Sequence, residues 1–323
     1  KKVIFFSLSY LLALFFIAYQ AADYFTGNGI DHSVIFHLQH GLQGAGFMEY
    51  IGLMLASGIA LIGTFFVLFY WVFIKPTNGK VKYRWPYLLL ILSFAFNPTS
   101  FNLSHALMGS YRFAPEHVVQ LEDGDFDRYY HNTAYTGKLP EKPKNLVYIF
   151  AESVEYTYFD ETIFSGLMPN LKALHEKSWV FTDVKQAPTT GFTIAGIHAS
   201  LCGLPFYFSS HVNSAYGMDQ FMPGAICASD VLNQLGYSLH YRGGAKSTFA
   251  GKGTLFTTHG FHSVKGRDEL IPQLKDPDYI HNWGLYDDTL LDIVFEEFLT
   301  LSAAGKPFGL FSLTLDTHHP KGH

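Results

Sequence analysis

Two stretches near the amino end, Val3 to Ala22 and Ile51 to Ile74, are apolar on every side and carry no charge. As helices, each is long enough to cross a hydrocarbon layer of about 30 Å. A third apolar run, Trp85 to Phe96, is shorter and suits either a span or a core helix. From Asn145 onward the pattern changes to alternating strands and helices. "NLVYIFAES" reads as a buried strand, "MPNLKALHEKS" as a helix and "WVFTDVKQ" as a strand. Helices follow in "TIAGIHASLCG" and in "CASDVLNQLG", which Gly236 ends, and then a strand in "YSLHYRGG". After a loop-rich passage come a helix in "DDTLLDIVFEEFLTLSAAG" and a strand in "PFGLFSLTLD". Strands that alternate with helices predict a largely parallel sheet covered on both faces.

The chain therefore divides into a transmembrane region over 1–97, a connector over 98–144 and an α/β domain over 145–323. The transmembrane region is expected to hold about three helices. In the connector, a short amphipathic helix on the membrane surface fits "SHALMGSYRFAPEHVVQL". Lys1, Lys2, Lys75, Lys80, Lys82 and Arg84 gather on one side of the spans, and the loop from Asp23 to Tyr50 has no basic residue. The positive-inside rule then puts the amino terminus in the cytoplasm and, if the third run spans, everything after Asn97 outside. The first run is long for a signal peptide and lacks an A-x-A site, so it reads as an anchor. With 22 basic against 27 acidic residues, no nucleic acid is expected as a partner. The missing initial Met and an end just after a strand-like run suggest a piece of a longer protein.

Ligands of parallel sheets sit beyond the carboxyl ends of the strands. The polar residues at those ends are Glu152, His318 and the stretch from Arg242 to Lys246, and the helix opened by Thr193 starts at the same level. Thr193 admits two roles, a helix cap or a nucleophile at the positive end of the helix dipole, and Thr189 or Thr190 could take the cap instead. A threonine hydroxyl is a poor nucleophile unless a base or a metal activates it. Glu152 and Thr193 together on one divalent cation make a coherent nucleophile site, although two ligands do not complete one. Oxygen-rich ligation points to manganese or magnesium. The only cysteines, Cys202 and Cys227, are either two buried thiols or a disulfide, which an oxidising exterior permits.

"NLVYIFAESVEYTYFD", "GLMPNLKAL", "TTGFTIAGIHASLCGLP", "FAGKGTLFTTHGF", "NWGLYDDTLLD" and "FSLTLDTHHP" follow one another at a characteristic spacing. Through them, and through "AADYFTGNGI" in the first outer loop, the chain resembles the phosphoglycerol transferases that decorate osmoregulated periplasmic glucans. Lipoteichoic acid synthases and phosphoethanolamine transferases of the alkaline phosphatase and sulfatase superfamily are wider relatives. The resemblance implies a sulfatase-like α/β catalytic domain, C-terminally incomplete here, behind an α-helical membrane anchor. It makes Glu152 a metal ligand, Thr193 the nucleophile and second ligand, and Lys252 and His318 the residues that hold the phosphate. Lys252 stands where lipoteichoic acid synthases have Arg, so a bidentate clamp becomes a point charge. Trp283 joins them as a substrate-binding candidate, and Trp283 and Asp287 also fit packing and helix capping. The remaining ligands, an Asp-His pair on a later strand, are expected beyond His323, which would leave this fragment inactive.

By the same resemblance, the donor is phosphatidylglycerol from the bilayer and the acceptor a periplasmic oligosaccharide. The location is the bacterial inner membrane, multi-pass, with the catalytic domain in the periplasm. Phosphoethanolamine transfer is the alternative within the superfamily, and a catalytically inactive glucan-binding membrane protein is the alternative outside enzymes. Sulfatase chemistry needs Cys-x-Pro-x-Arg, and "CGLPF" departs from it.

Overall fold

The computed structural model describes residues 2–27, 29–30, 34, 50–75, 84–97, 99–101, 104, 108, 141–187, 189–206, 219–318 and 322. The chain forms two compact units, one of Lys1–Glu122 with Tyr207–Tyr216 and one of Asp123–Phe206 with Gly217–His323. Most of the connector lies outside the described residues, as does nearly all of the surface helix expected within it.

The first unit is helical. Helix α1 covers Lys2–Thr26, α2 covers Ile51–Phe69 and runs on as a π-helical turn over Tyr70–Ile74, and α3 covers Arg84–Ala95. Aromatic side chains hold the three together. Phe6 meets Phe65 edge-on at 5.3 Å, Phe15 meets Phe94 at 5.9 Å and Phe5 meets Tyr87 at 5.7 Å. Among the described residues two helices, Lys2–Tyr24 and Ile51–Ile74, are long and apolar enough to cross a membrane. Where a third span is expected, the described helix α3 has 12 residues, about 18 Å at 1.5 Å per residue, so a count of about three is not confirmed.

The second unit is built on four parallel strands in the order β1-β4-β2-β3, with β1 at Leu146–Phe150, β2 at Ser238–Gly243, β3 at Ser263–Lys265 and β4 at Phe308–Leu313. Parallel neighbours need crossovers, and helices supply them. In chain order these are α4 (Pro169–His175), α5 (Thr193–Cys202), α6 (Ala228–Gln234), α7 (Lys252–Thr258) and α8 (Asp287–Ala303). β4 is central and buried at all six positions, as its unbroken apolar run predicts. Each face of the sheet has its own core. Phe308 and Leu310 point to Leu290 and Val294 of α8, whereas Phe311 joins Phe261, Phe256 and Tyr241 in a run of ring contacts on the other side.

Two expectations need correction. β1 is an edge strand and not a buried one, since Val147 and Ile149 are 43% and 50% exposed. The strand expected over "WVFTDVKQ" is irregular, with Trp179 96% and Phe181 80% exposed. A strand exists only through pairing, and no neighbour among the described residues offers it a ladder. Conversely, the passage read as loop-rich contains α7 and β3, each too short to show a period.

Candidate active site

The carboxyl ends of β1, β2 and β4 open on the same side of the second unit, and the sequence-identified residues meet there. Glu152 leaves β1 two residues after its last strand position. Its backbone is laced to the end of β4: its N–H donates to Thr314 Oγ1 at 2.9 Å, and its carbonyl accepts from the Thr317 hydroxyl. Its carboxylate is aimed by two hydroxyls. Ser153 Oγ donates to Oε1 at 3.2 Å, and Thr193 Oγ1 donates to Oε2 at 3.0 Å.

That last bond takes up the Thr193 hydroxyl. The residue before α5, Phe192, is extended and makes no side-chain cap, and Thr193 is the first residue of the helix. Its hydroxyl is spent on Glu152, so it does not cap. Neither does Thr190, which donates to the Ala187 carbonyl at 2.7 Å. Thr193 Oγ1 thus sits at the positive end of α5 against a carboxylate, a setting that favours a negatively charged oxygen. The far end of α5 is tied down as well. Gly203 ends it in the left-handed region, and the Sγ atoms of Cys202 and Cys227 are bonded to each other.

Lys252 opens α7 and is 2% exposed. Burial holds its ammonium down to about 8, against the opposing pull of the Glu152 charge. Its Nζ lies 4.5 Å over the ring of Phe249, which meets Trp283 edge-on at 5.5 Å, and Trp283 in turn lies 4.7 Å from the ring of His318. Lys252, Trp283 and His318 therefore form one row. Trp283 Nε1 is buried with no hydrogen-bond partner among the described residues. Gly284 makes this possible, because a Cβ there would overlap the Gly244 carbonyl just past β2.

His318 is positioned through Asp287. The Asp287 carboxylate accepts from the N–H groups of Leu315 at 2.6 Å and Asp316 at 2.9 Å, and the Asp287 N–H donates back to Asp316 Oδ2 at 3.0 Å. Burial raises the Asp287 carboxyl, although those two N–H groups work against it. This reciprocal clamp fixes the turn after β4, where the His318 N–H donates to the Leu315 carbonyl at 2.9 Å. Asp287 is thus more than the helix-capping residue its position suggests, and His319 lies outside the described residues.

Not every candidate joins the site. Arg242 points to the other face of the sheet and pairs with Glu297, and Lys246 is 3.4 Å from Asp268. Ser153, Thr314, Thr317 and Phe249 are members that the sequence reading missed. Short hydroxyl residues at strand ends were the available signal, but many such residues only satisfy turns. Backbone strain marks the same places. Of the four non-glycine residues with positive φ among those described, Ser153 and Ala250 stand one and two residues from Glu152 and Lys252, and Thr189 lies in the loop leading to Thr193.

For a divalent cation, Glu152 and Thr193 offer two converging hard oxygens, one anionic, which suits magnesium or manganese. They fit as half a site, since no third carboxylate or imidazole joins them in a group of three among the described residues. Cys202, Cys227 and His259 do cluster, but the sulfurs are bonded to each other and the His259 ring is held by Asp230 at 2.8 Å and the Phe221 carbonyl at 3.0 Å.

The sulfatase family profile matches residues 144–322, and that of the phosphoglycerol transferase I N-terminal domain matches residues 1–115. Phosphoglycerol transferase I of Salmonella choleraesuis (strain SC-B67) is 38% identical over 97% of this chain and 40% of its own length. That of Salmonella heidelberg (strain SL476) matches with the same identity and coverage. The chain thus spans 40% of the length of these curated relatives. Two crystal structures resemble part of it. An alkaline phosphatase superfamily protein from Vibrio parahaemolyticus does so with a TM-score of 0.44 and 25% identity over 58% of this chain and 43% of that one. The lipoteichoic acid synthase LtaP from Listeria monocytogenes does so with a TM-score of 0.43 and 14% identity over 57% of this chain and 45% of that one.

Proposed function

The chain belongs to the sulfatase family, and on that premise we propose that it forms part of a membrane-anchored phosphoglycerol transferase. The donor is phosphatidylglycerol, the acceptor is a periplasmic glucan, and Thr193 carries the group between them. The observation that carries this reading is the 3.0 Å bond from the Thr193 hydroxyl to Glu152 at the start of α5, in a unit whose Lys252 is buried without a hydrogen-bonded carboxylate among the described residues.

In the first half-reaction Thr193 Oγ1 forms a bond to phosphorus, the bond from phosphorus to the diacylglycerol oxygen breaks, and diacylglycerol leaves as the alcohol. The threonine proton passes by way of Glu152 Oε2, its hydrogen-bonded acceptor, to the diacylglycerol oxygen, which leaves Glu152 a carboxylate again. In the second, a glucan hydroxyl gives its proton to Glu152 Oε2 as its oxygen bonds to phosphorus, and Thr193 leaves, taking that proton from Glu152. Lys252 places a positive charge by the phosphoryl oxygens, and the Trp283 ring stands in the same row. His318 is held in the same row by the Asp287 clamp. A divalent cation held by Glu152 and Thr193, with further ligands, would stabilise a negatively charged threonine oxygen. Otherwise the protein's share is positioning and charge neutralisation, which dominate phosphoryl transfer. The two long apolar helices support a site in the inner membrane with the sulfatase-like unit in the periplasm, close to its lipid donor.

The test uses the full-length protein with phosphatidylglycerol vesicles and a glucan acceptor. Wild type is expected to transfer phosphoglycerol and to show a glycerophosphoryl adduct on the peptide that contains Thr193. Thr193→Ala is expected to lose both, and an adduct that persists in the variant defeats the assignment. Competition with phosphatidylethanolamine separates this donor from its alternative.

A further inference from the structure

Tyr241 lies on the α7 face of the sheet, 1% exposed, and the transfer chemistry makes no use of it. Its ring stacks on Phe256 at 4.0 Å, and Phe256 is one helical turn beyond Lys252 on the same side of α7. The register sets Tyr241 level with Phe311 and Phe311 level with Tyr148. Strand alternation puts Tyr148 and Phe150 of β1 on this same face, and Glu152 follows at the carboxyl end, two residues past the strand. Two residues past Tyr241 stands Gly243, where a Cβ would overlap the phenol oxygen. The glycine is what allows the hydroxyl to extend toward the carboxyl end of the sheet.

That oxygen is sealed from solvent and has no hydrogen-bond partner among the described residues. Burial first, and the Glu152 charge second, keep the phenol from ionising until well above the usual tyrosine range. A buried hydroxyl without a partner is costly. Phenylalanine would stack on Phe256 equally well without that cost, so the hydroxyl calls for an explanation.

Resting on the transfer reading above, we propose that Tyr241 is a positioning residue for Glu152, whose hydroxyl replaces that of Thr193 as donor to Glu152 Oε2 once Thr193 is bonded to phosphorus. In the resting site Oε2 accepts from Thr193 and Oε1 from Ser153. Forming the bond from Oγ1 to phosphorus removes the Thr193 hydrogen, and Oε2 loses its donor. Tyr241 keeps its own O–H bond throughout; it turns that hydrogen to the carboxylate and supplies no proton.

A double-mutant cycle on the full-length protein in detergent tests this, because Thr193→Ala removes the same donor permanently. On the wild-type background, Tyr241→Phe is expected to leave the melting temperature unchanged or raise it. On the Thr193→Ala background, where Tyr241 is the substitute donor, it is expected to lower the melting temperature by about 2–4 °C. Shifts equal to within about 1 °C on the two backgrounds overturn the proposal, and so does a Tyr241→Phe that unfolds the wild type. With phosphatidylglycerol vesicles, kcat of Tyr241→Phe is expected to fall about tenfold at unchanged KM; an unchanged kcat overturns the proposal. A wild type that transfers nothing from phosphatidylglycerol defeats the donor reading alone, and the thermal cycle still decides Tyr241.

Discussion

On the α8 face of the sheet, Arg242 is 2% exposed and fully answered: Nε donates to Glu297 at 2.6 Å, a second guanidinium nitrogen reaches the other carboxylate oxygen, and Nη1 donates to the Tyr241 carbonyl. On the α7 face, Lys252 is equally buried and has an aromatic ring beside it but no hydrogen-bonded carboxylate among the described residues. The same cost of desolvating a cation is met on one side and left standing on the other. Glu297 shows how completely the first side is balanced. Burial would raise its carboxyl, yet hydrogen bonds from His240 and Arg242 and the Arg242 charge bring it to about 2. On the proposed transfer reading, the cation left open in this way is where the phosphate anion would bind. His198 on α5 offers a third arrangement. It is fully buried between Phe206 and Phe221 and stays neutral, its imidazole held to about 4 by burial and by the nearby charge of His259.

The comparison breaks most visibly at Arg242. Arg242→Met leaves Glu297 half-paired in the interior and is expected to cost about 3–5 kcal/mol of stability, read by chemical denaturation. His198 predicts a pH limb of nearly that size. Its folded value lies below the unfolded 6.5, so its contribution is complete above pH 6.5 and is lost as pH falls toward 4, about 3 kcal/mol in all. His198→Phe should flatten that limb, and an unchanged acid limb would show that other groups set it.

Lys252→Met should do the reverse of Arg242→Met. Stability is expected to hold or rise, since a desolvated charge is removed, while transfer falls about 100-fold through loss of one charged contact to the phosphoryl group. A large drop in melting temperature would instead make Lys252 a structural cation like Arg242. In the wild type, the Lys252 charge is present below pH 8 and lost above it, so phosphate affinity should fall as pH rises through about 8 and should not in Lys252→Arg. The smallest effect belongs to the scaffold. Thr314→Val removes the acceptor for the Glu152 N–H and is expected to cost about 1 kcal/mol in stability.

Much of this architecture was readable from residue order. The unbroken apolar run of β4, the amphipathic length of α8 and the charge-free stretches of α1 and α2 each declare their environment locally, because burial on all sides, on one side or in lipid leaves its own periodicity. Glu152 and Thr193 were also within reach, since a carboxylate closing an apolar strand and a threonine opening a helix are local features that strand polarity brings to one side. Other assignments depended on distant neighbours. "YSLHYRGG" places Tyr241 and Arg242 side by side, and only the pleat, with α7 over one face and α8 over the other, sends one to Phe256 and the other to Glu297. "WVFTDVKQ" has the composition of a strand, but a strand forms only where a neighbour supplies the other half of its hydrogen bonds. That the Thr193 hydroxyl does not cap its helix follows from its meeting a carboxylate 41 residues earlier in the chain. Periodicity records what each segment buries, whereas the partner of a polar group is chosen by the crossovers that fold the sheet.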